Sequence, residues 1–366
     1  HLQKFLIIQT AFIGDVVLAT PLIEKLHAVF PLAQIDFLLR KGNETLLLNH
    51  PFLHEVLIWD KKKRKLRNLL SLICQIRKNR YDKVINLQRF AATGLLTVFS
   101  AAKETIGFDK NPFGFLFSKK IPHIVGEGIN LHETERNLEL IRHFTDPSYF
   151  RPALYPSEKD FDFIKAFTSG KFITVSPASV WFTKQYPAEQ WVSFIRSIPF
   201  GYRVLLLGGP GDVVVCESIR ESAGREWVNA GEDQITKEAD QTNNRRSHTE
   251  EDSVRKELRI NQIEILAGKL TFLQSAALMQ AAIMNFVNDS APMHFASAMN
   301  APVTAVYCST VPEFGFGPLS DIRFIVQHAE PLYCRPCGLH GYKACPETHF
   351  RCAREIRNDQ LLNSLS

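Results

Sequence analysis

Three stretches of this 366-residue chain place polar residues just after apolar runs, where a strand gives way to a helix. In QTAFIGDVVLATP (9–21) one carboxylate, Asp15, directly follows Gly14. Glycine permits a tight turn there. A carboxylate at that point can accept a proton from a substrate, or simply favour the helix start through the macrodipole, and spacing alone leaves both open. In SPASVWFTKQYPAEQW (176–191), Ser176, Ser179 and Thr183 offer hydroxyls, Lys184 a positive charge, and Pro187 starts the next helix. Hydroxyls and one lysine at a helix N-terminus suit phosphate oxygens; a surface loop with an incidental lysine is the plainer alternative. In VNDSAPMHFASAMNAPV (287–303), Asp289 and Ser290 end a strand and a helix follows. Its first amides, from Ala291 onward, offer a second place to neutralise a diphosphate. His294 is either ligand-facing or packed within that helix.

These residues need strands and helices to carry them. KFLIIQT (4–10) lacks alternation and suits a strand buried on both faces. PLIEKLHAVF (21–30) has helical spacing, with Thr20 as N-cap and Pro21 at the first helical position. QIDFLL (34–39), EVLIW (55–59) and DKVINL (82–87) are further strands. A linker is expected around Pro147–Pro156, followed by a second series: KFITVSP (171–177), a helix near 187–198, YRVLLLGGPGD (202–212), IMNFVND (283–289) and PVTAVYC (302–308). The expectation is α/β: two doubly wound, Rossmann-like domains with a cleft between them, over 1–155 and 156–352, then a C-terminal helix or tail over 353–366. Residues 226–262 are polar and highly charged, which predicts an exposed insertion.

Composition fits a globular protein, with 45% hydrophobic and 22% charged residues and a net charge of +5. No run approaches the roughly 20 apolar residues that span a bilayer, and the start resembles a strand more than a signal peptide, so a cytoplasmic location is expected. The sequence begins at His1, which suggests that at least one residue precedes it. KKKRKLR (61–67) holds six basic residues in seven and is either a solvated segment or a contact for an anionic partner, which could be membrane headgroups, in peripheral contact with the anionic inner membrane, or a phosphorylated substrate. No aromatics interleave it, so nucleic acid is not expected. Cys74, Cys216 and Cys308 lie in apolar surroundings and read as small core residues. Cys334, Cys337, Cys345 and Cys352 could form a structural zinc site, although the second pair is spaced too widely for the usual pattern; a packed or redox-labile cluster is the alternative. No G-x-x-x-x-G-K-[ST] is present, and no G-x-G-x-x-G follows the first strand, which disfavours a P-loop NTPase and a nicotinamide-dependent dehydrogenase.

Taken in order, IGDVVLATP, SPASVWFTKQYPAEQW, LGGPGD, LAGKLTFLQSAALMQAA, NDSAPMHFASAMNAPV and PEFGFGP resemble glycosyltransferase family 9, the ADP-heptose:lipopolysaccharide heptosyltransferases. The likeness runs from Phe5 to about Cys352. It implies a GT-B fold and an inverting, metal-independent transfer that requires no cofactor beyond an ADP-sugar donor. It puts Asp15 in the place of the general base and Lys184 in that of the phosphate-binding lysine. The Asp289-Ser290 turn becomes a second diphosphate contact, and Gly209 and Asp212 lie near the nucleoside. The implied acceptor is a lipid-anchored, phosphorylated inner-core saccharide. Its expected contacts are Gly14, Gln88 and Arg89 after a strand, and His132 and Arg136 from LHETERNLEL; each of these could equally be an ordinary structural partner. A transferase for another nucleotide sugar or glycan, or a non-catalytic sugar-nucleotide-binding relative, remains open.

Overall fold

The computed structural model describes residues 2–62, 65–126, 128, 130–225 and 262–365. Most of the polar stretch 226–262, and Lys63 and Arg64 of the basic run, lie outside the described residues. The chain forms two units. One comprises His1–Asp160 with Ser297–Met299 and Pro312–Leu319; the other comprises Phe161–Ala296, Asn300–Val311 and Ser320–Ser366.

In the first unit the elements run β1 (Lys4–Ile8), α1 (Ile13–Val29), β2 (Gln34–Arg40), β3 (Glu55–Trp59), α2 (Lys65–Asn79), β4 (Lys83–Asn86), α3 (Ala91–Val98), β5 (Glu104–Phe108), β6 (Lys119–Ile121) and α4 (Glu133–Glu139). The chain passes to the second unit within α5 (Glu158–Ile164). The strands pair in parallel in the order β3-β2-β1-β4-β5-β6. The apolar central strands are buried on both faces, so helices must cover both sides, while the edge strands β3 and β6 are partly exposed. On one face Leu6, Ile8 and Leu38 pack with Leu69, Leu72 and Ile76 of α2 and Leu96 of α3.

The second unit runs β7 (Phe172–Ser176), α6 (Ala188–Ser197), β8 (Arg203–Leu206), α7 (Val213–Arg225), β9 (Ile263–Ile265), α8 (Phe272–Ala281), β10 (Asn285–Asn288), α9 (Ala291–Ala298), β11 (Val303–Tyr307), β12 (Arg323–Gln327), α10 (Arg351–Arg354) and α11 (Asn358–Leu362). Its sheet order is β12-β11-β10-β7-β8-β9. Read from β9, this is the same doubly wound order as the first sheet, although the two sequences share no evident repeat. The final residues belong to this unit's core, where Ala353, Ile356 and Leu361 are buried.

The structure corrects two expectations. The first helix starts at Ile13, not at Pro21, and Pro21 lies inside it. Proline lacks the N–H that would bond the Val17 carbonyl, and the Thr20 hydroxyl donates to that carbonyl instead at 2.7 Å. Thr20 therefore mends the interior of the helix where the sequence suggested a cap. Cys74 is exposed, unlike the buried Cys216 and Cys308, because α2 turns it outward on the face opposite Leu72 and Ile76.

Candidate active site

In each sheet the strand order reverses between two central strands: β1 and β4 in the first, β7 and β10 in the second. Ligands of open α/β sheets bind beyond the carboxyl ends of strands at such switch points. Gly14, Asp15, Gln88 and Arg89 follow β1 and β4, and Ser176 to Lys184 and Asp289 to His294 lie at the ends of β7 and β10, each set within its own unit. Gly209 and Asp212 instead follow β8, and His132 and Arg136 lie at α4.

In the first unit the β1–α1 turn carries Gly14 and Asp15 in the first turn of α1. The backbone N–H of Phe12 donates to Asp15 Oδ2 at 3.2 Å. That leaves the carboxylate half-buried at the helix start, with its second oxygen not used by this cap. Next to β1, the chain leaving β4 carries Gln88, which is buried and donates through Nε2 to Gln9 Oε1. Its backbone N–H is held by Asn86 Oδ1 at 2.8 Å and its carbonyl by Asn111 Nδ2 at 2.8 Å. Gln88 Oε1 is buried without a hydrogen-bond partner. A buried orphan acceptor costs about 1–3 kcal/mol, and a bound hydroxyl would relieve it. Arg89 is exposed, its guanidinium 5.7 Å from the Phe90 ring.

His132 and Arg136 hold the 312–319 segment. His132 caps α4: its Nδ1 accepts from Thr134 N at 3.2 Å, so the proton is assigned to Nε2, which donates to the Gly317 carbonyl at 3.0 Å. Arg136 is 3% exposed. It donates to the carbonyls of Ile124 at 3.0 Å and Phe314 at 2.5 Å and pairs with Glu133 at 3.0 Å. Gly315 passes this clamp at φ +91°, where a Cβ would meet the Leu131 carbonyl oxygen and the guanidinium within 2.3 Å. As acceptor contacts, His132 and Arg136 would first have to leave these partners.

Burial pushes the His132 pKa below its ordinary 6.5, and the Gly317 carbonyl only partly opposes this. The folded state therefore favours neutral imidazole, and the unfolded chain protonates first as the pH falls. This contribution is fully present above about pH 6.5 and is lost as pH drops through the lowered folded value. Thermal melting between about pH 7.5 and about pH 5.5 should show a steeper loss of Tm in wild type than in His132→Asn, which keeps a capping oxygen. Equal slopes would remove the assignment.

In the second unit, β7 ends on Ser176, whose buried Oγ has no hydrogen-bond partner. The loop after it carries half-buried Ser179 and then a single turn, Phe182–Lys184. Lys184 Nζ pairs with Asp289 Oδ2 at 2.7 Å, and the Thr310 hydroxyl donates to the same oxygen at 2.6 Å. Asp289 follows directly on β10, then come Ser290 and the first turn of α9 with Ala291. His294 is buried within α9. The loop is tied to β10 through Asn288, whose Oδ1 accepts from Tyr186 N at 2.9 Å and whose Nδ2 donates to the Pro177 carbonyl at 2.9 Å.

Two expected donor contacts have structural duties. The Thr183 hydroxyl accepts from Tyr342 N at 2.7 Å and from Ser309 Oγ at 3.0 Å, which fixes Lys184 beside it. Gly341 lies so close that a Cβ would come within 2.8 Å of Thr183 Oγ1. Asp212 accepts from the Gly209 N–H at 2.7 Å and so closes the glycine-rich turn on itself. Sequence reasoning missed Asn288, Ser309 and Thr310. The hydroxyls of CST (308–310) follow β11 at the same carboxyl edge, so the rule that found Asp289 would have found them too.

The four late cysteines stand near one another. Burial, and then Cys337, Cys345 and Cys334, push the Cys352 thiol up to about 12. Among the described residues, the one group of histidine, cysteine or carboxylate side chains at metal-ligand spacing is Asp36, His54 and Glu55, not these cysteines. Asp36 there accepts from Tyr81 at 2.5 Å and lies 2.9 Å from His54 Nδ1, a hydrogen-bonded group away from the carboxyl edge.

Known proteins show the same design. The chain matches glycosyltransferase family 9 (heptosyltransferase) over residues 69–230 and 239–340. It is 25% identical to lipopolysaccharide heptosyltransferase 3 of Escherichia coli K12 over 313 residues, 81% of this chain and 80% of the relative. The structure of E. coli ADP-heptose LPS heptosyltransferase II superposes with a TM-score of 0.74 at 20% identity, over 99% of this chain and 97% of that one. E. coli heptosyltransferase WaaC with ADP gives 0.67 at 16% identity, over 99% of both chains. The fold is thus the GT-B type of two Rossmann-like units. With the family matched over most of its length and both switch points bearing the motifs, this chain belongs to glycosyltransferase family 9, the heptosyltransferases, and is a glycosyltransferase.

Proposed function

We propose that the enzyme transfers a heptose, with inversion, from ADP-heptose to a lipid-anchored, phosphorylated inner-core saccharide of lipopolysaccharide, at the cytoplasmic face of the inner membrane. The observation that carries this reading is the Lys184–Asp289–Thr310 group at the β7/β10 switch point, a cation held by buried partners where a diphosphate would sit. Support for the sugar and acceptor comes from the E. coli relatives, named as ADP-heptose and lipopolysaccharide heptosyltransferases.

Asp15 acts as general base on the acceptor hydroxyl. As the anomeric bond to ADP breaks, charge grows on the diphosphate, and Lys184, Ser290 and the first amides of α9 stabilise it without a divalent cation. Asp289 is a carboxylate and would repel a phosphate directly, so it acts by holding Lys184 in place. Gln88 and Arg89 lie one strand over from Asp15 and bind the acceptor. Arginine suits its phosphates through paired N–H donors.

The test is transfer from ADP-L-glycero-β-D-manno-heptose to heptose-deficient lipopolysaccharide core in EDTA, with the anomeric configuration of the product read by NMR. Inverted product in EDTA is expected. Tight ADP binding without transfer would move the donor sugar or acceptor elsewhere, and restoration of activity only by added metal would overturn metal independence.

A further inference from the structure

Residues 61–80 hold nine basic residues and no acidic one, within a chain whose net charge is only +5. Most of this stretch is α2. The inner face of that helix, Leu69, Leu72 and Ile76, is spent on the first sheet. Its outer face is not wholly polar, as a solvated helix face would be: exposed leucines stand among exposed Arg67, Ser71, Gln75, Arg77 and Lys78. Leu66 is 75% and Leu70 63% exposed, and Cys74 is exposed one turn further on. Positions 66, 70 and 74 are spaced by four and form one stripe along the helix. Exposed Arg67, Arg77 and Lys78 flank it. Arg77 Nη1 reaches the Phe99 carbonyl at 3.2 Å, and Phe99, at the end of α3 on the same side of the sheet, is 49% exposed.

Two separate features thus share one face. Bare leucines on a helix are costly in water, where burying one is worth about 1.5–3 kcal/mol. A block of positive charge with no acidic residue inside it repels itself and is drawn to an anionic surface. Each feature alone has a bland explanation, but together they describe a basic amphipathic helix lying in a membrane interface. A partner protein with acidic and apolar patches would satisfy either feature, but nothing here selects one. A bilayer supplies both over the whole length of the helix.

We infer that the outer face of α2 is a docking surface for an anionic lipid bilayer, with Leu66 and Leu70 entering the headgroup boundary and Arg67, Arg77 and Lys78 pairing with lipid phosphates. This rests on the proposed lipid-anchored acceptor, because such a substrate is presented at that surface. Cys74 then faces the bilayer instead of the core.

The test is co-sedimentation with phosphatidylethanolamine vesicles containing about 30% phosphatidylglycerol, against phosphatidylcholine vesicles. Wild type should bind the anionic vesicles at least about 10-fold more tightly, with the difference collapsing in high salt. Leu66→Ser with Leu70→Ser should weaken binding about 10-fold or more. Arg67→Gln, Arg77→Gln and Lys78→Gln together should weaken it about 100-fold, from roughly fivefold per charge. Thermal stabilisation by ADP, and transfer to a deacylated, water-soluble acceptor, should match wild type in all of them. Loss of soluble transfer in wild type would instead count against the proposed reaction and leave the vesicle result to stand alone. Wild type that ignores anionic vesicles overturns the docking surface. So do variants that bind as wild type does, or variants whose effect is to abolish concentration-dependent self-association.

Discussion

Replacing Asp15 with asparagine should slow heptosyl transfer by at least about 100-fold while leaving ADP affinity unchanged, because a positioned base contributes about 10²–10⁴-fold to such a step. The substitution is nearly isosteric. An asparagine oxygen can still accept from the Phe12 N–H now bonded at 3.2 Å, so this hydrogen bond at the start of α1 is kept while the charge and the basicity are lost. The alternative role predicts a different outcome. If Asp15 served the helix start alone, Asn would cost about 0.3–1 kcal/mol of macrodipole stabilisation and the rate would not move. Steady-state kinetics with ADP titration calorimetry separate the two. Unchanged turnover with a slightly lowered Tm would return Asp15 to a purely structural role.

Replacing Lys184 with alanine should lower kcat by about 10²–10³-fold, comparable to removing one donor aimed at charge that develops in the transition state. A second effect enters. Asp289 is 7% exposed at its side chain, and without Lys184 it becomes a buried carboxylate whose Oδ2 is bonded, among the described residues, by the Thr310 hydroxyl. Breaking a buried pair from one side costs about 3–5 kcal/mol, so Tm should fall as well. Lys184→Ala with Asp289→Asn removes both charges and should recover much of the stability but none of the rate. If activity returned together with Tm, Lys184 would be a structural cation and the leaving diphosphate would need another partner.

Much of this design was legible in the sequence. Strands such as KFLII and VTAVY declare themselves because a strand buried on both faces must be continuously apolar, and the order of strands and helices follows from the chain itself. The loops bearing Asp15, Lys184 and Asp289 were found by one rule, polar residues just past a strand, and the sheet order put each of them at a switch point. Helix limits were less legible. Thr20-Pro21 reads as a start because the local signal for a cap is the same as that for a repaired proline within a helix.

What the sequence determined by itself, then, is the α/β alternation and the tandem Rossmann-like organisation, which rest on periodicity, and the family, which rests on the resemblance of motifs taken in order along the chain. It also singled out the candidate stretches, from residue types just past each strand. Only the tertiary structure decided which polar side chains are already spoken for. Thr183 is bound by Tyr342, 159 residues away, and His132 by Gly317, 185 residues away. It also decided that Lys184 waits on Asp289, and that α2 turns leucines and arginines outward together. The reason is physical: a hydrogen bond or an exposed face is fixed by neighbours in space, and in a doubly wound sheet those neighbours come from strands far apart in sequence.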